Sequence, residues 1–176
     1  PDVAPWTLTS TPLFVNNDLL TDLTPYIDKW EDKDDIPENI YNIMKEAGGS
    51  EEEMYVMPWN VQVLYVYYRP SIFEKAGVEV PKTYDEFLEA IKKCTMDTDG
   101  DGETDVYGFG MRGAKGGQEP WGSFIYGEGG DFENLTSKES VKGMQDFIDL
   151  YENGYVPPTA VSDGFQETVA NFQSGL

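Results

Sequence analysis

The most apolar run in the chain is V-Q-V-L-Y-V-Y-Y, at residues 61–68, and it is dense in β-branched and aromatic side chains. Such residues favour β-strands, and nearly continuous apolarity is typical of a strand buried on both faces of a sheet. Residues 106–111 form a second candidate strand. The pattern therefore predicts one strand inside a sheet and another strand later in the chain.

Apolar residues at helical spacing predict two helices in the first third of the chain. Thr24-Pro25 is typical of an N-cap followed by proline, and we expect a short helix over residues 26–30. Pro37 opens a second helix, which ends at Gly48. Its apolar face is formed by Ile40, Met44 and Ala47.

Two further helices are predicted by a capping signal or by spacing alone. Thr83 and Glu86 fit a capping box, and the helix that follows places Phe87, Ile91 and Cys94 on one face. We expect Cys94 to pack in the core, because buried thiols are usually inert. A last helix covers residues 165–173.

Thr136 and Glu139 fit a second capping box, and Gly154 ends the helix that this box begins. We expect the core-facing stripe of that helix to be Val141, Met144, Ile148 and Tyr151. Strands that alternate with helices in this way indicate an α/β fold.

Charge and composition exclude several classes of function. The chain has 176 residues, is 39% hydrophobic and carries a formal net charge of −21. That charge repels phosphate, so we expect no nucleic-acid partner and no binding to anionic lipid. One cysteine makes no internal disulfide, and the lack of histidine removes the commonest general base and zinc ligand.

The two ends of the chain predict a piece of a longer protein. Pro1 is not a methionine and is typical of a strand already in progress, while Gly175 comes directly after a predicted helix. No signal segment and no apolar run of ~20 residues is visible. If both ends are trimmed, the missing signal segment says nothing about where the protein is located.

Five carboxylates crowd into the turn at residues 97–105, D-T-D-G-D-G-E-T-D. The positions match ligands 1, 3, 5, 7 and 9 of a calcium loop, but Gly108 stands where the bidentate glutamate is expected. Two interpretations stay open, a structural calcium site and a solvated acidic turn. The predicted ligands are Asp97, Asp99, Asp101, Glu103 (through its carbonyl) and Asp105.

Three tryptophans lie in connections rich in glycine and proline, outside the helical stripes: Trp6, Trp59 and Trp121. A tryptophan in a loop either fills a hydrophobic gap or lines a binding site. An aromatic face suits the CH groups of a sugar ring, and nearby amides and carboxylates suit its hydroxyls. Candidate polar partners are Asn60, Gln62, Gln118 and Glu119.

Seven segments resemble, in order and spacing, family 1 of the extracellular solute-binding proteins of ABC importers, which includes the maltodextrin-binding proteins. They are residues 1–6, 18–24, 57–78, 81–87, 129–130, 150–158 and 172–175. The resemblance implies a periplasmic-binding-protein type II α/β fold, with two lobes joined by crossing strands and here truncated at both ends. Residues 1–60 would form part of the first lobe, and residues 61–176 most of the early part of the second.

The resemblance also implies ligand-binding positions, which are carried over one at a time. Trp6 matches a tryptophan that lines the family's cleft, and Thr9 stands where relatives have an acidic residue. Gln62 takes the place of a glutamate in a crossing strand, with Trp59 and Asn60 beside it. Glu119 and Trp121 match the acidic and aromatic residues of a sugar-contacting segment.

The implied function is a carbohydrate receptor that closes on a mono- or oligosaccharide and delivers it to a membrane permease, without catalysis or a required cofactor. Alternatives are a carbohydrate-active enzyme and a binder of another solute, although few basic residues near the cleft make anions less attractive. We expect an extracellular protein, periplasmic or lipid-anchored, whose signal segment lies outside this piece. The piece itself is open to self-association through exposed apolar surface.

Overall fold

The computed structural model of the chain describes residues 2–60, 63–114 and 116–176, and of Gln118 and Glu119 it describes the backbone alone. The chain divides into two compact units, Pro1–Tyr65 (unit 1) and Val66–Leu176 (unit 2). Each unit has a hydrophobic core of its own. The assignment of residues 1–60 and 61–176 to two lobes of a larger protein stays a prediction.

The described residues of unit 1 form three α-helices, which are α1 (Thr11–Val15), α2 (Thr24–Ile27) and α3 (Glu38–Ala47). Its core contains Met44, Met54 and Val56. The prediction that α3 follows Pro37 and ends at Gly48 is confirmed.

The short helix α2 begins two residues earlier than predicted, and Thr24 is not its cap. The Thr24 hydroxyl instead accepts a hydrogen bond from the amide of Met54 at 3.0 Å. The Met54 carbonyl in turn accepts from the amide of Leu23 at 2.7 Å. Thr24 therefore ties a core segment distant in sequence to the start of α2, a role that local sequence does not reveal.

Unit 2 holds five helices among its described residues. They are α4 (Pro70–Ala76), α5 (Tyr84–Cys94), α6 (Gln118–Gly127), α7 (Lys138–Glu152) and α8 (Phe165–Ser174). The core contains Ile91, Met111, Phe124, Leu150, Val156 and Ala160. Phe124 stands at the centre of an aromatic cluster, with the ring centroids of Phe147 and Phe109 at 5.2 and 5.7 Å.

The predicted face of α5 is confirmed, since Ile91 and Cys94 are buried and Phe87 packs against the core. The capping box at Thr83 is also confirmed. The Glu86 amide donates to the Thr83 hydroxyl at 3.2 Å, and the Glu86 carboxylate accepts from the Thr83 amide. Burial raises the pKa of the Cys94 thiol, so this side chain packs as a small apolar group.

The predicted start and stripe of α7 are wrong by about one position. Ser137, and not Thr136, caps the helix by accepting from the Ser140 amide at 3.1 Å. Ser140, Gly143 and Leu150 are buried. The predicted stripe residues Val141, Ile148 and Tyr151 are exposed, and Met144 is only partly buried.

Small residues on α7 explain this rotation, because α6 packs directly along it. A Cβ added to Gly143 would collide with the backbone of Phe124 and Ile125 on α6. The two helix backbones therefore approach closely at a glycine, and bulky neighbours are turned away from the contact. Lys142 joins the same two elements, with its ammonium 2.6 Å from Glu128 and 3.0 Å from Asp146.

The strands of the predicted α/β fold are not observed in the parts of the chain that the structure describes. Residues 106–111 contribute one isolated antiparallel bridge, between Met96 and Val106. Residues 63–68 are exposed and form no strand, and Val61 and Gln62 lie outside the described residues. A buried strand needs neighbouring strands for its backbone groups, and the exposure of residues 63–68 contradicts the predicted burial on both faces. No described helix is long and apolar enough to cross a membrane.

Candidate functional site

A cavity of about 530 Å³ in unit 2 is the strongest candidate for a ligand site. Its lining includes two aromatic side chains, one cation and several glycines: Arg112, Gly113, Gly116, Gly117, Trp121 and Phe147. Ligand pockets typically combine apolar surface with a few polar groups, within a range of about 300–1,000 Å³. The cavity has both properties, and it contains one of the three predicted tryptophans.

Trp121 reaches the cavity because it sits on the first turn of α6. Its amide donates to the carbonyl of Gly117 at 3.3 Å, so the helix starts directly after the glycine turn. The indole is half-buried, and its centroid lies 5.3 Å from that of Phe132, with the planes tilted by 54°. Contact with Phe132 supports the indole while it lines the cavity.

Arg112 was not among the candidates from sequence. Its guanidinium lies against Gly116, because a Cβ added to that glycine would collide with it. The guanidinium carbon also lies 6.0 Å from the ring centroid of Phe165 on α8. The structure thus places a cation beside Trp121, where the sequence indicated few basic residues. The available signal was an arginine, one of two in the chain, inside a stretch dense in glycine.

The predicted residues of unit 1 lie on or near its surface. The Trp6 ring nitrogen donates to the Thr11 hydroxyl at 3.3 Å, and its ring stacks on Phe14 at 5.0 Å. Trp6 therefore combines a packing contact with partial exposure. Thr9 is exposed in a short 3-10 turn, Leu8–Ser10.

Trp59 is 88% exposed and Asn60 is exposed as well. An indole with this exposure does not fill a gap in the core of unit 1. Its role in ligand binding stays a prediction. Gln62 and the side chain of Glu119 lie outside the described residues.

The acidic turn brings together three of the four carboxylates that were predicted to bind calcium. Carboxylate oxygens of Asp97, Asp99 and Asp105 all lie within 4.8 Å of one another. Two oxygens bound to one calcium ion at 2.3–2.6 Å are at most about 5 Å apart, so this spacing is compatible with calcium. The carboxylates of Asp101 and Glu103 are not in that group, although the ligand predicted from Glu103 is its backbone carbonyl.

The same carboxylates are also stabilised within the turn. Asp97 accepts from the amides of Gly100 at 2.6 Å and Gly102 at 2.9 Å, and these hydrogen bonds lower its pKa. Asp105 accepts from the Thr98 hydroxyl at 2.6 Å and the Thr98 amide at 2.7 Å, which lowers the pKa of that carboxyl too. These donors offset part of the repulsion between the carboxylates, so both interpretations of the turn stay open.

A second cavity, of about 480 Å³, lies in unit 1 between α2 and α3. It is lined mainly by charged and polar side chains, with Tyr41 donating to the Lys33 carbonyl at 2.8 Å. None of the predicted sugar-binding residues lines it. The cavity beside Trp121 is therefore the better candidate.

Comparison with known proteins gives a family and a fold. The model of the family described as bacterial extracellular solute-binding protein matches residues 1–176. No curated protein matches the chain. A crystal structure of an ABC transporter solute-binding protein from Thermotoga lettingae TMO, bound with α-D-tagatose, is similar, with a TM-score of 0.70 and 24% identity. The match covers 96% of this chain and 44% of that one, and it shows a shared periplasmic-binding-protein type of fold.

Proposed function

The chain belongs to the bacterial extracellular solute-binding proteins, and we propose that the protein it comes from is the carbohydrate receptor of an ABC importer. The family consists of receptors that bind a solute, which distinguishes it from enzymes that transform one. We further propose that the ligand is a mono- or oligosaccharide.

The observation that carries the proposal is the position of Trp121 in the cavity of unit 2. An indole offers a flat apolar face to the CH groups of a sugar ring, and such aromatic contacts contribute about 0.5–1.5 kcal/mol beyond the area they bury. A site that combines this aromatic face with polar groups favours a ring that carries hydroxyls.

The similar structure from Thermotoga lettingae adds support, because that protein was crystallised with a sugar. This chain spans less than half of that protein, so delivery to a permease is a proposal about the whole protein. Binding between two lobes and attachment by a lipid anchor likewise stay predictions from the family resemblance.

Substitution of Trp121 by alanine in the intact protein tests the proposed site. We expect sugar affinity to fall by about 1–2 kcal/mol, or roughly 5- to 30-fold, because the aromatic contact is lost. The sugar is first identified by a thermal-shift screen of mono- and oligosaccharides, and its dissociation constant is then measured by calorimetry.

Trp30→Ala is the matched control, because Trp30 is also partly exposed but neither lines the cavity nor belongs to the predicted ligand-binding residues. It should leave the dissociation constant unchanged. An equal affinity in Trp121→Ala and the wild type would contradict the assigned site. Release of reducing ends from an oligosaccharide would instead favour a carbohydrate-active enzyme, which needs two carboxylates ~5–10 Å apart.

A further inference from the structure

Arg112 holds a distinctive position in a chain with a net charge of −21. It is one of two arginines, and it lines the same cavity as Trp121. The guanidinium lies against Gly116, which itself lines the cavity, and its carbon is 6.0 Å from the centroid of the Phe165 ring on α8. A cation is thus fixed at the edge of an aromatic cavity.

We propose that Arg112 determines the specificity of this cavity by binding two adjacent oxygens of the ligand while the ring of the ligand packs on Trp121. The inference rests on the proposed carbohydrate function and adds to it the chemical feature that the site recognises. Arg112 was not among the ligand contacts predicted from sequence, and its place in the lining of the cavity is the reason to include it.

The geometry of a guanidinium carries this assignment. Its five N–H donors lie in one plane, and two of them match a pair of oxygens about as far apart as those of a carboxylate. Five donors also let the group keep its contacts within the protein while it binds a ligand. Vicinal hydroxyls of a neutral sugar and the carboxylate of a sugar acid both present such a pair.

Contact with Phe165 and Gly116 restricts the side chain before any ligand arrives. A planar group that is already held in place loses little conformational freedom on binding. Lysine has a single compact ammonium on a flexible stem, so it does not reproduce this arrangement. The proposal therefore predicts that Arg112→Lys, which preserves charge, still loses affinity.

The other arginine provides a matched control within the same unit. Arg69 also packs on a phenylalanine of α8, with its guanidinium carbon 4.8 Å from the Phe172 centroid, and it donates to the Phe172 carbonyl. It does not line the cavity beside Trp121. Arg69→Gln thus removes an equivalent cation–π contact with α8 without touching the candidate site.

The experiment compares Arg112→Gln, Arg112→Lys and Arg69→Gln in the intact protein. A panel of neutral sugars and uronic acids, with D-galactose and D-galacturonate as a matched pair, is titrated into each protein, and melting temperatures are recorded in parallel. We expect at least a tenfold loss of affinity in Arg112→Gln, a smaller but measurable loss in Arg112→Lys, and wild-type affinity in Arg69→Gln.

The matched pair distinguishes the two sources of oxygens. If Arg112 binds a carboxylate, galacturonate binds more tightly than galactose, and added salt weakens its binding. If Arg112 binds vicinal hydroxyls, neutral sugars bind at least as well, and salt has little effect. Either result supports the proposal, provided that the Arg112 variants lose affinity.

Other outcomes distinguish the role of Arg112 from the proposed carbohydrate function. Wild-type affinity in both Arg112 variants overturns the role of Arg112 and leaves the proposed function standing. Affinity lost in Arg69→Gln as much as in Arg112→Gln assigns both effects to packing against α8, and it also overturns the inference. A wild-type protein that binds no member of the panel overturns the proposed carbohydrate function and this inference together.

Discussion

Gly116 is subject to two independent constraints at a single residue. Its φ angle is +89°, which residues other than glycine rarely adopt. A Cβ at this position would also collide with the Arg112 guanidinium. The glycine therefore sets both the course of the turn before α6 and the position of the cation in the cavity. No hydrophobic pattern encodes this second role, because it depends on a contact with a side chain four residues earlier.

Gly116→Ala should therefore cost more stability than an alanine at a glycine with positive φ alone. Gly129 is the comparison, since its φ is +82° and nothing lies within 4 Å of an added Cβ. We expect Gly129→Ala to cost about 1–2 kcal/mol from the backbone. Gly116→Ala should cost about 1 kcal/mol more, since the guanidinium that it displaces ends a flexible side chain. Urea denaturation measures both values, and equal costs would show that the Arg112 guanidinium is not held in this space.

The candidate site was predictable only in part, and the reason lies in single residues. Trp121 was identified because an indole in a glycine-rich turn is conspicuous in the sequence. Arg112 was missed because its relevance arises from folding, which brings it against Gly116 and Phe165. A residue is recognisable as part of a site from sequence when its chemistry stands out locally, and not when distant residues position it.

At the scale of an element, the acidic turn shows how a short segment folds around its own charges. Amides of Gly100 and Gly102, both in positive-φ conformations, donate to Asp97. The pKa of Asp97 lies below its ordinary value of 3.8, so the carboxylate is ionised throughout the neutral range. Stability from these hydrogen bonds is present above the ordinary pKa and is lost as the pH falls through the lowered one.

If the acidic turn binds calcium, as the sequence predicts, calcium should stabilise the folded protein. In chelator-treated protein, millimolar calcium should raise the melting temperature and release heat, because the ion binds the folded turn. The response should persist from pH 7 to about pH 5, because the lowered pKa values of Asp97 and Asp105 keep both carboxylates ionised there, and it should vanish in stronger acid.

Asp97→Asn should abolish the calcium response, since it removes a charge from the group of three carboxylates. Glu52→Gln removes the same charge from another acidic turn and should leave the response intact. If calcium releases no heat with the wild-type protein and leaves its melting temperature unchanged, the segment is a solvated acidic turn.

Helices were predicted well where the local signal and the packing agree. In α5 the capping box and the apolar face are both correct, because large side chains face the core there. In α7 a buried glycine contacts α6 and a buried serine contacts the segment after α6, so a stripe chosen by side-chain size was rotated away from the true contact. Closely packed helices meet at small residues, so a pattern of large apolar residues does not predict where the contact lies.

At the scale of the whole molecule, residues 63–68 show the limit of prediction from composition. Their β-branched and aromatic side chains favour a strand, yet a strand in a sheet forms only beside partner strands. The structure assigns no strand to residues 63–68, and Leu64 and Val66 are 58% and 66% exposed. Composition indicates a preference for extended backbone, while the pairing that makes a strand depends on other segments.

An exposed apolar segment of this kind should make the 176-residue chain self-associate. We expect its average mass in sedimentation equilibrium to rise with concentration, because contact between copies buries the segment. Replacing Leu64 and Val66 by lysine should shift this rise to higher concentration through charge repulsion.

Leu13 and Leu19 serve as the control pair, since they are 65% and 66% exposed but lie outside residues 63–68. Lysines at those positions add the same charge and should leave the self-association nearly unchanged. Equal effects from both pairs would assign the change to net charge, and a monomeric wild-type chain at every concentration would refute the expectation.

Burial of Cys94, described above as packing in α5, has a practical consequence for experiments on this protein. It is the only thiol in the chain, it is 4% exposed, and its raised pKa keeps it protonated at neutral pH. Maleimide dyes react with exposed thiolates, so they will leave the native cysteine unmodified. A cysteine engineered at an exposed position then becomes a unique labelling point, and a fluorophore there could turn ligand binding into an optical signal without removing any native residue from the core.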